Sequence, residues 1–156
     1  DQAFGNHVKH MKFAQELSRA ADHNHAIVFV DPNLAQVVGH ACADPSAGST
    51  ANAVMNAVDA LSRKNCALFD SGQVDGGEIV NPGYLCTGFD SYLTHEPWLM
   101  ATMALVHARL NRIFFAVPTA GGGVKTLIKM QTLSDLNHSF EVYWLRESLD
   151  NGNNHV

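Results

Sequence analysis

Residues 98–106 read Trp-Leu-Met-Ala-Thr-Met-Ala-Leu-Val, apolar at every position except Thr102. Pro97 stands directly ahead, at the first-turn position where a helix tolerates proline, so a helix is expected over 97–110. A helix without a polar face must be covered on both sides. One cover can be a sheet of the same chain. In a chain of 156 residues the other is expected to be a second subunit. The charge content agrees: 16% of residues are charged, against roughly 25% in an average soluble domain.

The flanking segments supply the sheet. Over 8–21, Val8, Met11, Ala14, Leu17 and Ala21 recur at helical spacing between polar residues, giving an amphipathic helix within an N-terminal stretch of about 1–24. Two apolar runs, 26–30 and 34–42, flank Asp31-Pro32-Asn33 and read as a β-hairpin. A loop over 44–50 leads into a helix over 51–64, with Ser49 or Thr50 as its cap and Val54, Val58 and Leu61 on one face. Gly, Asp and Pro crowd 70–83, which reads as a surface insertion. Residues 85–93 look extended, interrupted at Gly88, and 112–117 is a buried-type strand. The turn 118–123, with its three glycines, reads as flexible. Residues 124–138 fit no single pattern, and 140–145 suits an edge helix or strand. The polar tail 147–156 is expected to fray. Together these make an α/β sandwich of one domain, 1–156, around one mixed sheet.

Ten Lys and Arg against fifteen Asp and Glu give a formal charge of −5. Free-standing nucleic-acid binders concentrate positive charge, so RNA binding here calls for a basic partner or another domain. Three cysteines (Cys42, Cys66, Cys86) with no C-x-x-C pair make no disulfide framework and suit a reducing, intracellular setting. No apolar run reaches 18 residues and no signal peptide is visible, so no membrane association is expected. The first residue is Asp1 rather than Met, which leaves room for an N-terminal domain upstream.

Two places carry the functional argument. Asn52-Ala53-Val54 opens one core helix, and Pro97-Trp98-Leu99-Met100-Ala101 opens the other. Zinc deaminases put H-x-E at the first place and P-C-x-x-C at the second: one His and two Cys hold the metal, and the Glu shuttles protons to and from its water. Here Asn52, Trp98 and Ala101 replace the ligands and Val54 replaces the shuttle. Indole, methyl and isopropyl groups do not ligate zinc.

The stretches Tyr84-Leu85-Cys86-Thr87-Gly88-Phe89-Asp90, Tyr92-Leu93-Thr94-His95-Glu96-Pro97 and Met103-Ala104-Leu105-Val106-His107-Ala108-Arg109 resemble the Tad3 family, the non-catalytic subunits of eukaryotic tRNA adenosine deaminase. Ala53-Val54-Met55 is similar to that family's H-A-V motif, and Leu136-Asn137-His138-Ser139-Phe140 to its C-terminal motif. The resemblance implies a three-layer α/β/α cytidine deaminase-like fold with one mixed five-stranded sheet. It further implies a Tad2-type catalytic partner that carries the zinc, conversion of wobble adenosine 34 of tRNA to inosine by the pair, and a place in nucleus and cytoplasm. The family usually keeps the metal-binding His and both Cys, which this chain does not.

From these readings come the expected sites. Catalytic and metal residues are absent, the degenerate positions being Asn52, Val54, Trp98 and Ala101, with Trp98 filling the volume left by zinc and its thiolates. No cofactor is expected in this chain. Leu99, Met100, Met103 and Val106 would meet the partner, methionine being adaptable at binding surfaces. Lys125 and Lys129, four apart, would touch RNA phosphate. His40 and Cys42 share a strand face, where half of a metal site is possible but no partner pair is visible and ordinary burial is expected; Cys86 reads as a buried structural thiol, and Gly121-Gly122-Gly123 lacks the Lys-Ser/Thr of a phosphate loop. Two other readings are an active zinc hydrolase with a relocated metal site, and a dimerisation scaffold without an RNA role.

Overall fold

The computed structural model describes residues 2–22, 25–44, 46, 52–70 and 85–146. The expected insertion over 70–83, apart from Asp70, the expected caps Ser49 and Thr50, and the tail 147–156 lie outside the described residues. Helix α1 spans Gln2–Ala20. Strands β1 (Ala26–Asp31) and β2 (Gln36–Cys42) follow, then α2 (Ala53–Asp70), β3 (Asp90–His95), α3 (Leu99–His107), β4 (Arg112–Val117), a 3-10 turn at Met130–Thr132 and β5 (Glu141–Trp144).

The strands form one five-stranded sheet in the order β2-β1-β3-β4-β5. Strand β1 runs antiparallel to both β2 and β3, whereas β3, β4 and β5 are mutually parallel. The sheet is mixed because the hairpin reverses direction in a short turn, while parallel neighbours need crossovers. Every residue of β1 is buried, so both its faces are covered. Ile27 and Phe29 point into a core shared with Val54, Leu61, Leu105 and Phe115, under α2 and α3. Val28 and Val30 point the other way, to Met11 and Ala14 of α1. The alternation of one strand thus builds two cores and three layers. The α1 layer is further held where His7 Nδ1 lies 2.7 Å from the Tyr92 hydroxyl.

Several local expectations are corrected. The second hairpin strand starts at Gln36, not 34, because Asp31 accepts hydrogen bonds from the amides of Asn33 and Leu34 and Ala35 adopts φ +52°, extending the turn. A bulge interrupts the β1–β2 register between Phe29 and Val30, a common device on exposed edge strands. Residues 85–88 form a turn rather than a strand, with Leu85 and Gly88 both at positive φ.

Helix α3 is shorter than 97–110. Pro97 lies outside it, and its end is a Schellman motif: Leu110 N–H donates to Leu105 O at 3.2 Å and Arg109 N–H to Val106 O at 3.0 Å. Arg109 takes the left-handed position, φ +59°, that glycine usually fills. Residues 124–129 are turns and bends, and 141–144 resolves as strand β5.

Candidate functional site

The N-terminus of α2 carries the first degenerate motif. Asn52 is the N-cap: its Oδ1 accepts from the Met55 amide at 3.0 Å, and its carbonyl accepts from the Asn56 amide at 3.1 Å. A side chain occupied in this way is not offered to a ligand. Asn56 Nδ2 then donates to Cys42 O at 3.0 Å, tying the helix to the end of β2. Val54 is buried, packed in the same core as Ala57 and Ala101.

The N-terminus of α3 carries the second motif. Trp98 precedes the helix in an extended conformation (φ −62°, ψ 163°) and makes no side-chain cap. The Thr102 hydroxyl turns back to this entry, its one proton shared between Pro97 O and Trp98 O, both at 3.1 Å. The expectation that Trp98 fills the former metal volume is wrong: it is 63% exposed. Its backbone pairs with Gly122 as an isolated bridge, while Val54 and Ala101 fill the core. The structure therefore brings together Val54 and Ala101 but not Trp98.

The outward face of α3 is open. Leu99, Met100 and Met103 are exposed, Val106 is half-buried, and only Ala101, Thr102 and Leu105 of the helix are buried. The expectation of a helix covered on both sides holds within this chain for one side.

Sequence reasoning missed the most connected side chain here, Glu96. Its carboxylate is buried and accepts from the amides of Thr119 (3.2 Å), Val124 (3.3 Å), Lys125 (2.7 Å) and Thr126 (2.9 Å), and from the Thr126 hydroxyl. Burial alone would push its pKa up; the bonds from Thr126, Thr119 and Lys125 outweigh that and hold it below the usual glutamate value. The loop 119–126 is thus a ring of amides closed round an internal anion. It is not the flexible turn expected from three glycines. A Cβ on Gly122 would come within 2.0 Å of the Glu96 carboxyl carbon, and one on Gly123 within 2.4 Å of the Thr102 hydroxyl oxygen. A buried-type strand ending on a glutamate, with a glycine triplet some 25 positions later, was the available signal.

Lys125 and Lys129 do not share a helical face, since 124–129 is not helical. Lys125 lies with its Nζ 4.3 Å from the centre of the Trp144 ring. Among the other candidates, the expected burial of His40 is corrected, since it is exposed on the edge strand β2; Cys42 is half-buried and donates to Leu17 O at 3.6 Å, and burial pushes the Cys86 thiol up to about 12, which suits an inert structural thiol. No group of three or more His, Cys, Asp or Glu among the described residues is placed to hold a metal ion. The four degenerate positions do not fit zinc: one oxygen is engaged in capping, two side chains are aliphatic, and the indole points to solvent. No helix among the described residues is long and apolar enough to cross a membrane.

No family model matches the chain. Solved structures share the fold: a chain from structural studies of A-to-I editing by tRNA:A34 deaminases superposes with TM-score 0.65 at 21% identity, covering 88% of this chain and 98% of that one. The apo dCMP deaminase of cyanophage S-TIM5 superposes with TM-score 0.54 at 15% identity, covering 88% and 96%. Sheet order, layers and the paired helix N-termini are those of the cytidine deaminase-like fold. Within that class the chain is 35% identical over 150 residues to the probable inactive tRNA-specific adenosine deaminase-like protein 3 of Danio rerio, across 87% of this chain and 44% of that protein. It is 48% identical over 61 residues to the tRNA-specific adenosine deaminase TAD3 of Arabidopsis thaliana (38% and 15% covered). With the Saccharomyces cerevisiae subunit TAD3 the identity is 37% over 70 residues (41% and 22%). The chain belongs to the Tad3 family. It spans less than half the length of the curated relatives it matches.

Proposed function

We propose that this chain is a non-catalytic deaminase subunit that pairs with a Tad2-type catalytic subunit and supports adenosine-to-inosine conversion at the tRNA wobble position. One observation carries the reading: on an intact deaminase fold, the positions that elsewhere hold zinc and move protons cap a helix (Asn52) or pack a core (Val54, Ala101). Chemistry must then come from another chain, with zinc bound there. The exposed side chains of Leu99, Met100 and Met103, with half-buried Val106 beside them, offer an apolar surface for that chain. A permanent interface of this kind buries about 2,000 Å² or more. Its three free cysteines suit a reducing compartment, and the reading places the complex in nucleus and cytoplasm.

The test is reconstitution. The chain and a Tad2-type subunit are purified apart and mixed, and inosine at position 34 is measured in a tRNA substrate. Deamination is expected from the mixture and from neither the chain alone nor an excess of it. Turnover by the chain alone, stoichiometric zinc in it after chelator washing, or a catalytic subunit indifferent to its presence would each refute the proposal.

A further inference from the structure

Trp144, near the end of β5, is half-buried and fixed through its indole N–H, which donates to Ala116 O at 3.0 Å. Two exposed cations lie on it: Lys125 Nζ and the Arg146 guanidinium carbon are each 4.3 Å from the ring centre. Both charges therefore sit within about 10 Å of each other, the Debye length at 0.1 M salt. The ion pairs of the described residues are Arg63 with Asp59 and Arg112 with Asp90, so neither Lys125 nor Arg146 meets a carboxylate among those residues. An aromatic face attracts a cation without cancelling its charge. Lys125 is also anchored at its backbone, where its amide donates to the buried Glu96 carboxylate. In a chain of net charge −5, Lys125 and Arg146 are two cations gathered on one indole, neither of them paired with a carboxylate among the described residues.

We propose that Lys125 and Arg146, seated on Trp144, form a clamp for a phosphate of the RNA backbone. Two like charges repel in the free protein, and a phosphodiester at the rim of the indole, within reach of both long side chains, relieves the repulsion while accepting charge-assisted hydrogen bonds from them. The clamp borders the degenerate site, because the loop bearing Lys125 is joined to the start of α3 by the Gly123 amide bonded to Pro97 O at 2.9 Å and by the Trp98–Gly122 bridge. This inference rests on the subunit reading above and assigns to it a point of RNA contact. It moves the cationic site from a Lys125–Lys129 pair to Lys125 with Arg146.

The experiment is a fluorescence-anisotropy titration of a labelled anticodon stem–loop RNA, with the chain alone and with its catalytic subunit, between about 50 and 200 mM salt. Releasing counterions from one single-strand phosphate scales affinity as salt to about the −0.7 power, so Lys125→Gln and Arg146→Gln should each lower affinity about five-fold at 0.1 M and flatten the salt slope by about 0.7. Lys125→Arg should keep both, and the melting temperature should not move in any of them. Parental affinity and slope in both glutamine variants, or a parent that binds no RNA at about 50 mM salt in either form, overturns the clamp. Variants that bind RNA normally but lose the catalytic subunit as salt rises overturn it too, placing an acidic protein segment there. The subunit reading fails separately, when editing proceeds without this chain.

Discussion

Replacing Glu96 by glutamine tests whether the loop beside α3 is organised by a buried anion. Glutamine keeps the shape but offers one oxygen and one NH₂. With its oxygen where Oε1 stands, it still accepts from Val124, Lys125 and Thr126 amides, now as a neutral group. The NH₂ then faces the Thr119 amide, donor against donor. Hydrogen bonds to a charged acceptor contribute about 1.5–3 kcal/mol net, neutral ones about 0.5–1.5, and a stranded buried donor costs about 1–3. Weakening the two shortest amide bonds and stranding Thr119, less the desolvation relieved by removing a charge, gives a loss of about 2–4 kcal/mol. Gly122→Ala should cost a similar amount by a different route, since its Cβ would stand 2.0 Å from the carboxyl carbon. The two losses should be less than additive, both acting on one carboxylate.

The same variant carries a pH signature. The folded-state pKa of Glu96 lies below the ordinary value of 4.5. Its ionised form therefore contributes stability fully above 4.5, and that contribution is lost as pH falls through the folded value. Urea unfolding of wild type and Glu96→Gln should show the full gap at neutral pH and a shrinking gap on acidification below 4.5, where the wild-type carboxyl also becomes neutral. A neutral-pH loss under about 0.5 kcal/mol, as for an ordinary surface change, or a gap that widens with acid, refutes the reasoning.

Other outcomes follow from single contacts. Asn52→Ala should lose about 1 kcal/mol in thermal or urea unfolding by removing the cap of α2, with Asn52→Asp retaining most of it. Arg109→Gly should stabilise by about 0.5–1 kcal/mol, since φ +59° is costly for arginine and free for glycine. Val54→Glu should destabilise by about 3 kcal/mol or more, a buried carboxyl without partners, and should not create deaminase activity in an inosine assay. Met103→Asp should leave folding intact, because the side chain is exposed, yet abolish co-purification with a Tad2-type subunit.

What the residues disclosed and what they hid divides along physical lines. Helices α1 and α2 were legible because burial against one layer leaves an apolar face at helical spacing, and β1 and β4 because strands covered on both faces read as continuous apolar runs. The end of α3 was not, because Arg109 occupies a left-handed position with no glycine to announce it. Trp98 misled because indole size suggests a core filler, whereas its side chain's direction depends on the extended backbone at the helix start. Glu96 and its loop were invisible for a different reason. The ligands of that carboxylate are backbone amides, which every residue possesses, so no side-chain motif marks them; only the glycines that admit the carboxyl hint at the contact.

The loss of the metal positions raises the question of what holds two helix N-termini where a zinc ion elsewhere bridges them. Each terminus here is fastened on its own. That of α2 is closed by the Asn52 side chain and tied to β2 through Asn56 and Cys42 O. That of α3 is fastened to the loop 119–126 by the Gly123 amide on Pro97 O, by the Trp98–Gly122 bridge, and by Glu96, which follows β3 and gathers the loop's amides. Between them Val54 and Ala101 pack in one core that needs no ligand. On the proposed reading, two independent sets of hydrogen bonds and a shared hydrophobic core stand here in place of a bridge of metal bonds. Removing any one of these should weaken its own helix terminus while leaving the other in place, whereas a metal bridge would couple the two. Double-mutant cycles between Asn52→Ala and Glu96→Gln measure this directly: a coupling energy below about 0.5 kcal/mol is expected for sites with no shared partner, and a coupling of 1 kcal/mol or more would show that the two termini still depend on each other.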